Sequence, residues 1–216
     1  MVALFHMIDL LVATTNQGKF AEVEAFLKGL PLRIVSLRDL VNPPVVVEDG
    51  KTFEANALKK ARTLARFSGM MTLADDSGIE VDALGGAPGI YSARYAGEDC
   101  DDSANNEKLL RELTGLPDAE RTGRFVCALA LCAPDGGGWK EWTVCECCEG
   151  RIALALRGAN GFGYDPLFFY PPLGKCFGEI DRETKAGVSH RGKALRQFAA
   201  RLPAWIDFAA DLPSQP

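Results

Sequence analysis

The sequence predicts an α/β fold: a mixed central β-sheet flanked by helices. Three observations point there. Strand and helix patterns alternate through the first part of the chain, one clear β-hairpin follows, and an amphipathic helix comes last. The hairpin argues against a purely parallel sheet.

Ile8 to Ala13 is apolar enough for a buried first strand. The polar segment Thr14 to Gly18 leads into a helix with Phe20, Val23, Phe26, Leu27 and Leu30 at helical spacing. Leu32 to Val35 reads as a second strand, Pro43 and Pro44 interrupt the chain, and Val45 to Val47 leads into Glu48, Asp49 and Gly50. Thr52 caps a helix that runs to about Phe67, with Phe53, Ala57, Ala61, Leu64 and Ala65 on its inner side. The apolar run Met71 to Ala74 is a strand that stops at Asp75 and Asp76, and Ile79 to Val81 is extended again. Gly85, Gly86, Pro88 and Gly89 make an irregular loop, and Asp101 to Leu113 is helical. Arg124 to Ala133 is apolar on both alternating faces, as a central strand is, and Pro134 to Gly138 turns it into a partner strand from Trp139 to Cys148. Arg151 to Leu156 continues in extended form, a glycine-rich loop runs from Gly158 to Gly163, and the last helix uses Leu195, Phe198 and Leu202. No repeat, low-complexity tract or linker divides the 216 residues, so they read as a single domain. Met1 to His6 is a dispensable extension if Met7 is the start.

Composition narrows the function. With 47% hydrophobic and 25% charged residues the chain reads as soluble and globular. A net charge of −5 argues against gripping a nucleic-acid backbone, which needs clustered Lys and Arg, but leaves room for small anions in a local basic cleft. The apolar start carries Asp9 and no basic leader, so neither a signal peptide nor a membrane span is expected. Seven cysteines, Cys100, Cys127, Cys132, Cys145, Cys147, Cys148 and Cys176, are an odd count without a secretory signal and read as reduced thiols of a cytoplasmic protein. Cys145, Cys147 and Cys148 lack the spacer and the nearby histidine of a zinc site, so strand packing is their expected role.

Four polar clusters fall at element ends, where a rigid sheet presents ligands. Thr14, Thr15, Asn16, Gln17, Gly18 and Lys19 lie between a strand and a helix. They lack Walker spacing, yet backbone N–H groups at a helix start, small hydroxyls and a lysine suit a phosphate. A polar helix cap explains the same residues. Glu48 precedes a helix that holds Lys59 and Lys60; a carboxylate and an ammonium near one pocket can hold a metal and neutralise a polyphosphate, and a solvated helix start is the plainer reading. Asp75, Asp76 and Ser77 are either a solvated acidic turn or a site for a divalent cation, because two adjacent buried carboxylates need an answering charge. Magnesium asks for one or two carboxylates plus water and substrate phosphates, so Glu48 with Asp76 suffices, and a remaining carboxylate can take a proton from an attacking water. Phe162, Gly163, Tyr164 and Asp165 offer aromatic faces and an acceptor to a heterocycle, and His190 and Arg191 add donors.

The motifs that carry these residues follow one another in a familiar order. They are Thr15-Asn16-Gln17-Gly18-Lys19, Glu48 through Ala57, Ala74-Asp75-Asp76-Ser77-Gly78, Gly85 through Arg94, Gly161 through Pro166, and Ser189 through Leu195. Over about Ile8 to Leu202 the chain closely resembles the non-standard purine nucleoside-triphosphate pyrophosphatases, also called ITP/XTP pyrophosphatases. The resemblance implies Mg²⁺-dependent hydrolysis of ITP, dITP and XTP to monophosphate and pyrophosphate, in a homodimer that cleanses the nucleotide pool, with no nucleic-acid or membrane partner. It implies a substrate cleft between two lobes. It also implies that residues Thr14 to Lys19 bind substrate, that Glu48 and Asp76 address the metal, that Asp76 accepts the proton, and that Ser77 contacts substrate. Lys60 matches the family's helix lysine, Phe162 to Asp165 the base pocket, and Lys185, His190 and Arg191 the remaining substrate contacts. Three positions depart from the pattern: Thr14, Cys176 where a threonine is expected, and Ala186 where an asparagine often stands.

Two other classes remain: a nucleotide sensor without turnover, and an RNA binder using Arg191, Lys193, Arg196 and Arg201. Pyrophosphatases acting on modified pyrimidine triphosphates are the neighbouring enzyme class.

Overall fold

The computed structural model describes residues 7–210 except Cys100 and Gly136, with side chains described as far as Trp205. The expected extension Met1 to His6, the Cys100 thiol and part of the expected 134–138 turn therefore lie outside the described residues.

Among the described residues strands and helices alternate as far as Glu112, four strands follow, and two helices come last: β1 (Ile8–Ala13), α1 (Gln17–Leu27), β2 (Leu32–Ser36), α2 (Phe53–Ser68), β3 (Met71–Val81), α3 (Asp102–Glu112), β4 (Thr122–Asp135), β5 (Gly138–Ile152), β6 (Phe168–Tyr170), β7 (Lys175–Cys176), α4 (Arg182–Val188) and α5 (His190–Ala210). The strands form one mixed sheet in the order β2-β1-β3-β4-β5-β6-β7. β1 runs parallel to both neighbours, with Leu10 opposite Met71 and Ala13 opposite Ala74, whereas β5, β6 and β7 pair antiparallel.

By their internal contacts the residues gather into two compact units, neither continuous in sequence. The first takes the chain as far as Asp76, with Ala128–Cys145 and the chain from Ala194 on; the second takes Ser77–Cys127 and Glu146–Lys193. In the first, Leu10, Leu11 and Val12 of β1 are buried together with Ala57, Ala61 and Leu64 of α2 and with Phe198 and Leu202 of α5. Trp142 of β5 packs tilted on Phe198, ring centres 6.2 Å apart. In the second, Ile79, Leu109, Phe125, Ile152, Phe168 and Phe177 form the centre of an apolar cluster. Phe125 and Phe177 are stacked, and Phe168 tilts against both.

Local chemistry sets the element ends. Asn16 caps α1 by accepting from Lys19 N, and Thr52 caps α2 by accepting from Ala55 N. Gly69, in the left-handed region at φ 72°, closes α2. The inner face expected for α2 is the observed one, with Phe53, Ala57, Ala61, Leu64 and Ala65 all buried. Gly85, Gly86 and Gly89 all take positive φ in the loop that was expected to be irregular.

Some expectations need correction. β3 does not stop at Ala74; it runs unbroken through the acidic pair to Val81, because lysines answer both carboxylates inside the protein. α1 ends at Leu27 rather than reaching Leu30, since Gly29 at φ 89° turns the chain. β5 ends at Ile152, so Leu154 and Leu156 are exposed residues outside a strand. Only Cys148 of its three cysteines packs inward; alternation along the strand leaves Cys145 and Cys147 exposed. No disulfide joins the described cysteines. Among the described residues, no helix is long and apolar enough to cross a membrane.

Candidate active site

Two groups of polar side chains stand out, one in each unit. In the first unit the centre is Lys60, on α2, four residues after buried Asn56. Its Nζ lies 3.1 Å from Glu48 Oε1, 3.5 Å from Asp76 Oδ1 and 2.7 Å from the carbonyl oxygen of Asp75. One ammonium thus gathers the two carboxylates that the sequence separates by 27 intervening residues. Lys19, at the start of α1, makes the matching pair with Asp75 at 2.8 Å. The neighbouring Lys59 turns outward to Asp49 and takes no part.

Both acids are almost wholly buried, Asp75 at 4% and Asp76 at 6% exposure. Burial pushes the Asp76 pKa up, the Lys60 and Lys19 charges draw it back down, and the Glu48 carboxylate pushes it up again. Asn56 lowers it a little from nearby, although Asn56 Nδ2 and Asp76 Oδ2 are both buried without a hydrogen-bond partner. The other end of that amide is engaged: Asn56 Oδ1 accepts from Gly50 N at 2.7 Å and so fixes the turn that follows Glu48.

The Thr14 to Lys19 segment is more than a helix cap. Thr14 Oγ1 accepts from Asn16 N at 3.2 Å, and the Thr15 carbonyl accepts from Arg38 Nη2 at 3.4 Å. Gln17, with its amide oxygen turned to the same guanidinium, accepts at 2.9 Å. Gly18 lies in the first turn of α1. Arg38 is a cation that sequence reasoning missed, because it sits in an unremarked short helical turn after β2.

In the second unit, Lys185 and Asp165 form a buried pair at 2.5 Å, and Asp165 Oδ2 also accepts from Phe162 N at 2.9 Å. Phe162 is half-buried, with the Lys185 ammonium 4.7 Å and the Arg191 guanidinium 5.7 Å from its ring centre. Arg191 is itself buried and donates to Ser77 Oγ at 2.7 Å. His190 opens α5 and stacks nearly parallel on Phe125, centroids 4.6 Å apart. Tyr164 differs from expectation. Its ring belongs to the apolar cluster and its hydroxyl donates to the Ser92 carbonyl at 2.8 Å, so it offers no open aromatic face.

A sequence model of the Ham1 family matches residues 10–201. The chain belongs to the Ham1 family. Among its relatives, a protein of Geobacter sulfurreducens named dITP/XTP pyrophosphatase is 53% identical over 88% of this chain and 94% of its own length. One of the same name from Syntrophobacter fumaroxidans is 55% identical over 88% and 79%. Solved structures agree: a HAM1 protein from Coxiella burnetii superposes with a TM-score of 0.82 at 36% identity, covering 92% of this chain and 100% of that one. The Staphylococcus aureus Ham1 protein gives 0.80 at 38% identity, covering 91% and 98%.

Within this Ham1 chain the odd residue Cys176 has a clear local job. Its sulfur caps the short helical turn Phe177–Glu179 while Glu179 accepts from Cys176 N at 2.7 Å, a capping box of the kind a threonine would make. Burial raises the Cys176 thiol to about 11, so it stays protonated in that role.

The first unit's donors fit a hard divalent cation. Glu48 and Asp76 supply carboxylate oxygen, and the buried, unpartnered Asp76 Oδ2 is the atom such an ion would satisfy. Among the described residues no group of three or more His, Cys, Asp or Glu gathers as a metal cage.

Proposed function

We propose that this chain hydrolyses the non-standard purine nucleoside triphosphates ITP, dITP and XTP to the monophosphate and pyrophosphate. It would do so as a cytoplasmic homodimer that clears such nucleotides from the pool. The observation that carries the reading is the sharing of the Lys60 ammonium between Glu48 and Asp76, beside a Lys19–Asp75 pair. Acids and ammoniums held this way suit a polyphosphate and a hard cation together. The names borne by the Geobacter and Syntrophobacter relatives support the substrate class.

Glu48 and Asp76 would hold Mg²⁺. When bound, that ion draws charge away from the phosphates. Asp76 accepts the proton of a water attacking the α-phosphorus in line. Lys19 and Lys60 take up the charge that develops on the pyrophosphate leaving group, and the Thr14 to Lys19 segment presents N–H groups and hydroxyls to the phosphates. Positioning and electrostatics do most of the work in such a reaction.

Phe162, Gly163 and Asp165, with Lys185, His190 and Arg191, serve the nucleobase side, Tyr164 holds the segment from behind through its bond to Ser92, and Ser77 contacts the substrate. A 6-keto purine offers an acceptor at its keto oxygen and a donor at the adjacent ring nitrogen, whereas adenine reverses both. A site built from hydrogen bonds can reject the reversed pattern by about 10⁴-fold, because the wrong base leaves buried groups unpaired. Initial rates on ITP, XTP, GTP, ATP and dUTP, with Mg²⁺ and then with chelator, test the proposal. Fast release of pyrophosphate from ITP and XTP alone, abolished by chelator, is the expected pattern; equal rates on ATP or preference for dUTP would refute it.

A further inference from the structure

Both backbone groups of Gly163 are gripped by the first turns of α3. Gly163 N donates to Asp102 Oδ2 at 2.7 Å, and the Gly163 carbonyl accepts from Asn106 Nδ2 at 2.9 Å. The same Nδ2 donates to Asp102 O at 2.8 Å, which fixes the amide's orientation. Gly163 adopts φ 60°, a conformation that L side chains rarely take, so only the glycine lets the peptide present both groups to one helix. α3 is anchored in turn. Asn105, fully buried, accepts from Ala96 N at 2.6 Å and donates to the Ala93 carbonyl at 3.0 Å. The next loop residue, Tyr164, bonds the Ser92 carbonyl, and Ser92 Oγ accepts from Ile79 N at 2.8 Å. A frame of hydrogen bonds therefore runs from β3 through Ser92 and α3 to the peptide between Phe162 and Asp165.

We propose that Asp102 and Asn106 are positioning residues for nucleobase recognition, acting through Gly163 to set where Phe162 and Asp165 stand. The proposal rests on the reading of this segment as the base-binding side of a pyrophosphatase. A loop with glycines at 158, 161 and 163 has much conformational freedom to lose when it orders around a ligand. Holding one peptide from both sides removes that freedom before binding, so the cost falls on folding and not on affinity or selectivity.

The test compares wild type, Asp102→Ala, Asp102→Asn and Asn106→Asp by steady-state kinetics on ITP and ATP, and by amide hydrogen exchange over residues 161–165 without substrate. Asp101 caps α3 by accepting from Ala104 N at 2.8 Å, so loss of the Asp102 carboxylate leaves the helix start in place. Asp102→Ala and Asn106→Asp should raise KM for ITP about 10-fold, the scale of one charge-assisted hydrogen bond, with a smaller fall in kcat and a narrowed preference over ATP. Asp102→Asn keeps an oxygen that can accept from Gly163 N and should recover most of the loss. Exchange at 161–165 should quicken in Asp102→Ala while protection elsewhere is retained. Wild-type KM and preference in both disruptive variants would overturn the proposal, and so would unchanged exchange in Asp102→Ala. A wild-type chain inert toward ITP would refute the function proposed above, and the exchange result would then decide the frame by itself.

Discussion

Lys60 Nζ stands 3.5 Å from Asp76 Oδ1 on one side and 3.1 Å from Glu48 Oε1 on the other. This lysine compensates buried Asp76 and partly exposed Glu48, two acids that would otherwise repel each other. Burial and the Glu48 carboxylate oppose ionised Asp76, and the Lys60 and Lys19 charges offset them.

Replacing Asp76 by Asn tests the base. Loss of a positioned general base costs about 10²–10⁴-fold, so kcat of Asp76→Asn should fall by at least 10²-fold while circular dichroism stays that of the wild type. Turnover within a few-fold of wild type would remove Asp76 from its role.

The same variant has a stability signature whose sign follows from the raised pKa of Asp76. A folded-state pKa above the unfolded one means that the folded protein binds the proton more tightly, so ionisation above that pKa costs stability and protonation below it restores it. In metal-free buffer at neutral pH, Asp76→Asn should therefore melt higher than wild type, and the gap should shrink as pH falls through the Asp76 pKa. Thermal melts across acid to neutral pH with chelator present make the comparison.

Magnesium should reverse the order. A ligand that binds only the folded state at about 100 times its Kd adds about 2.7 kcal/mol, so saturating Mg²⁺ should raise the melting temperature of wild type by several degrees and leave Glu48→Gln with Asp76→Asn unmoved. Equal shifts in both proteins would place the ion elsewhere.

Gly192 tells on α4. A Cβ there would stand 1.9 Å from the Ala186 carbonyl oxygen, so Gly192→Ala must push α4, which carries Lys185, away from α5. Overpacking of this kind costs about 1–3 kcal/mol, and KM for ITP should rise along with the lost stability. Urea melts and kinetics on the purified variant measure both.

Arg121 is a structural cation. It is buried and donates to three carbonyls, those of Ile152 at 2.8 Å, Leu113 at 2.8 Å and Ala153 at 2.9 Å; burial lowers its pKa while Asp118 draws it back up. Arg121→Ala strands three acceptors and should destabilise the protein by about 3 kcal/mol or more, read by urea melts. Arg121→Lys should recover only part, because an ammonium lacks the planar fork.

Much of this architecture was legible in the sequence because burial leaves a periodic trace. The α2 face from Phe53 to Ala65 and the doubly apolar β4 were plain for that reason. The acidic pair misled because charge normally ends a strand, and nothing local reveals that Lys19 and Lys60 will meet it. Tyr164 misled in the opposite way: a tyrosine between glycines reads as an open ring, yet Ser92, 72 positions earlier, claims its hydroxyl. Asn56 stood inside the Glu48 through Ala57 motif without a role, and Asp102 and Asn106 left no trace, since a polar side chain on a helix looks solvated until its partner is known. Glu48 and Asp76 were paired first from their residue types at element ends, and motif order then pointed to the same two residues.

Solvent-oxygen labelling tests the central claim most directly. Wild-type protein is given ITP and Mg²⁺ in water enriched in the heavy oxygen isotope, and the products are analysed by mass. Attack at the α-phosphorus predicts one heavy oxygen in the monophosphate and none in pyrophosphate. Label in pyrophosphate, or release of orthophosphate with a nucleoside diphosphate, would contradict the account.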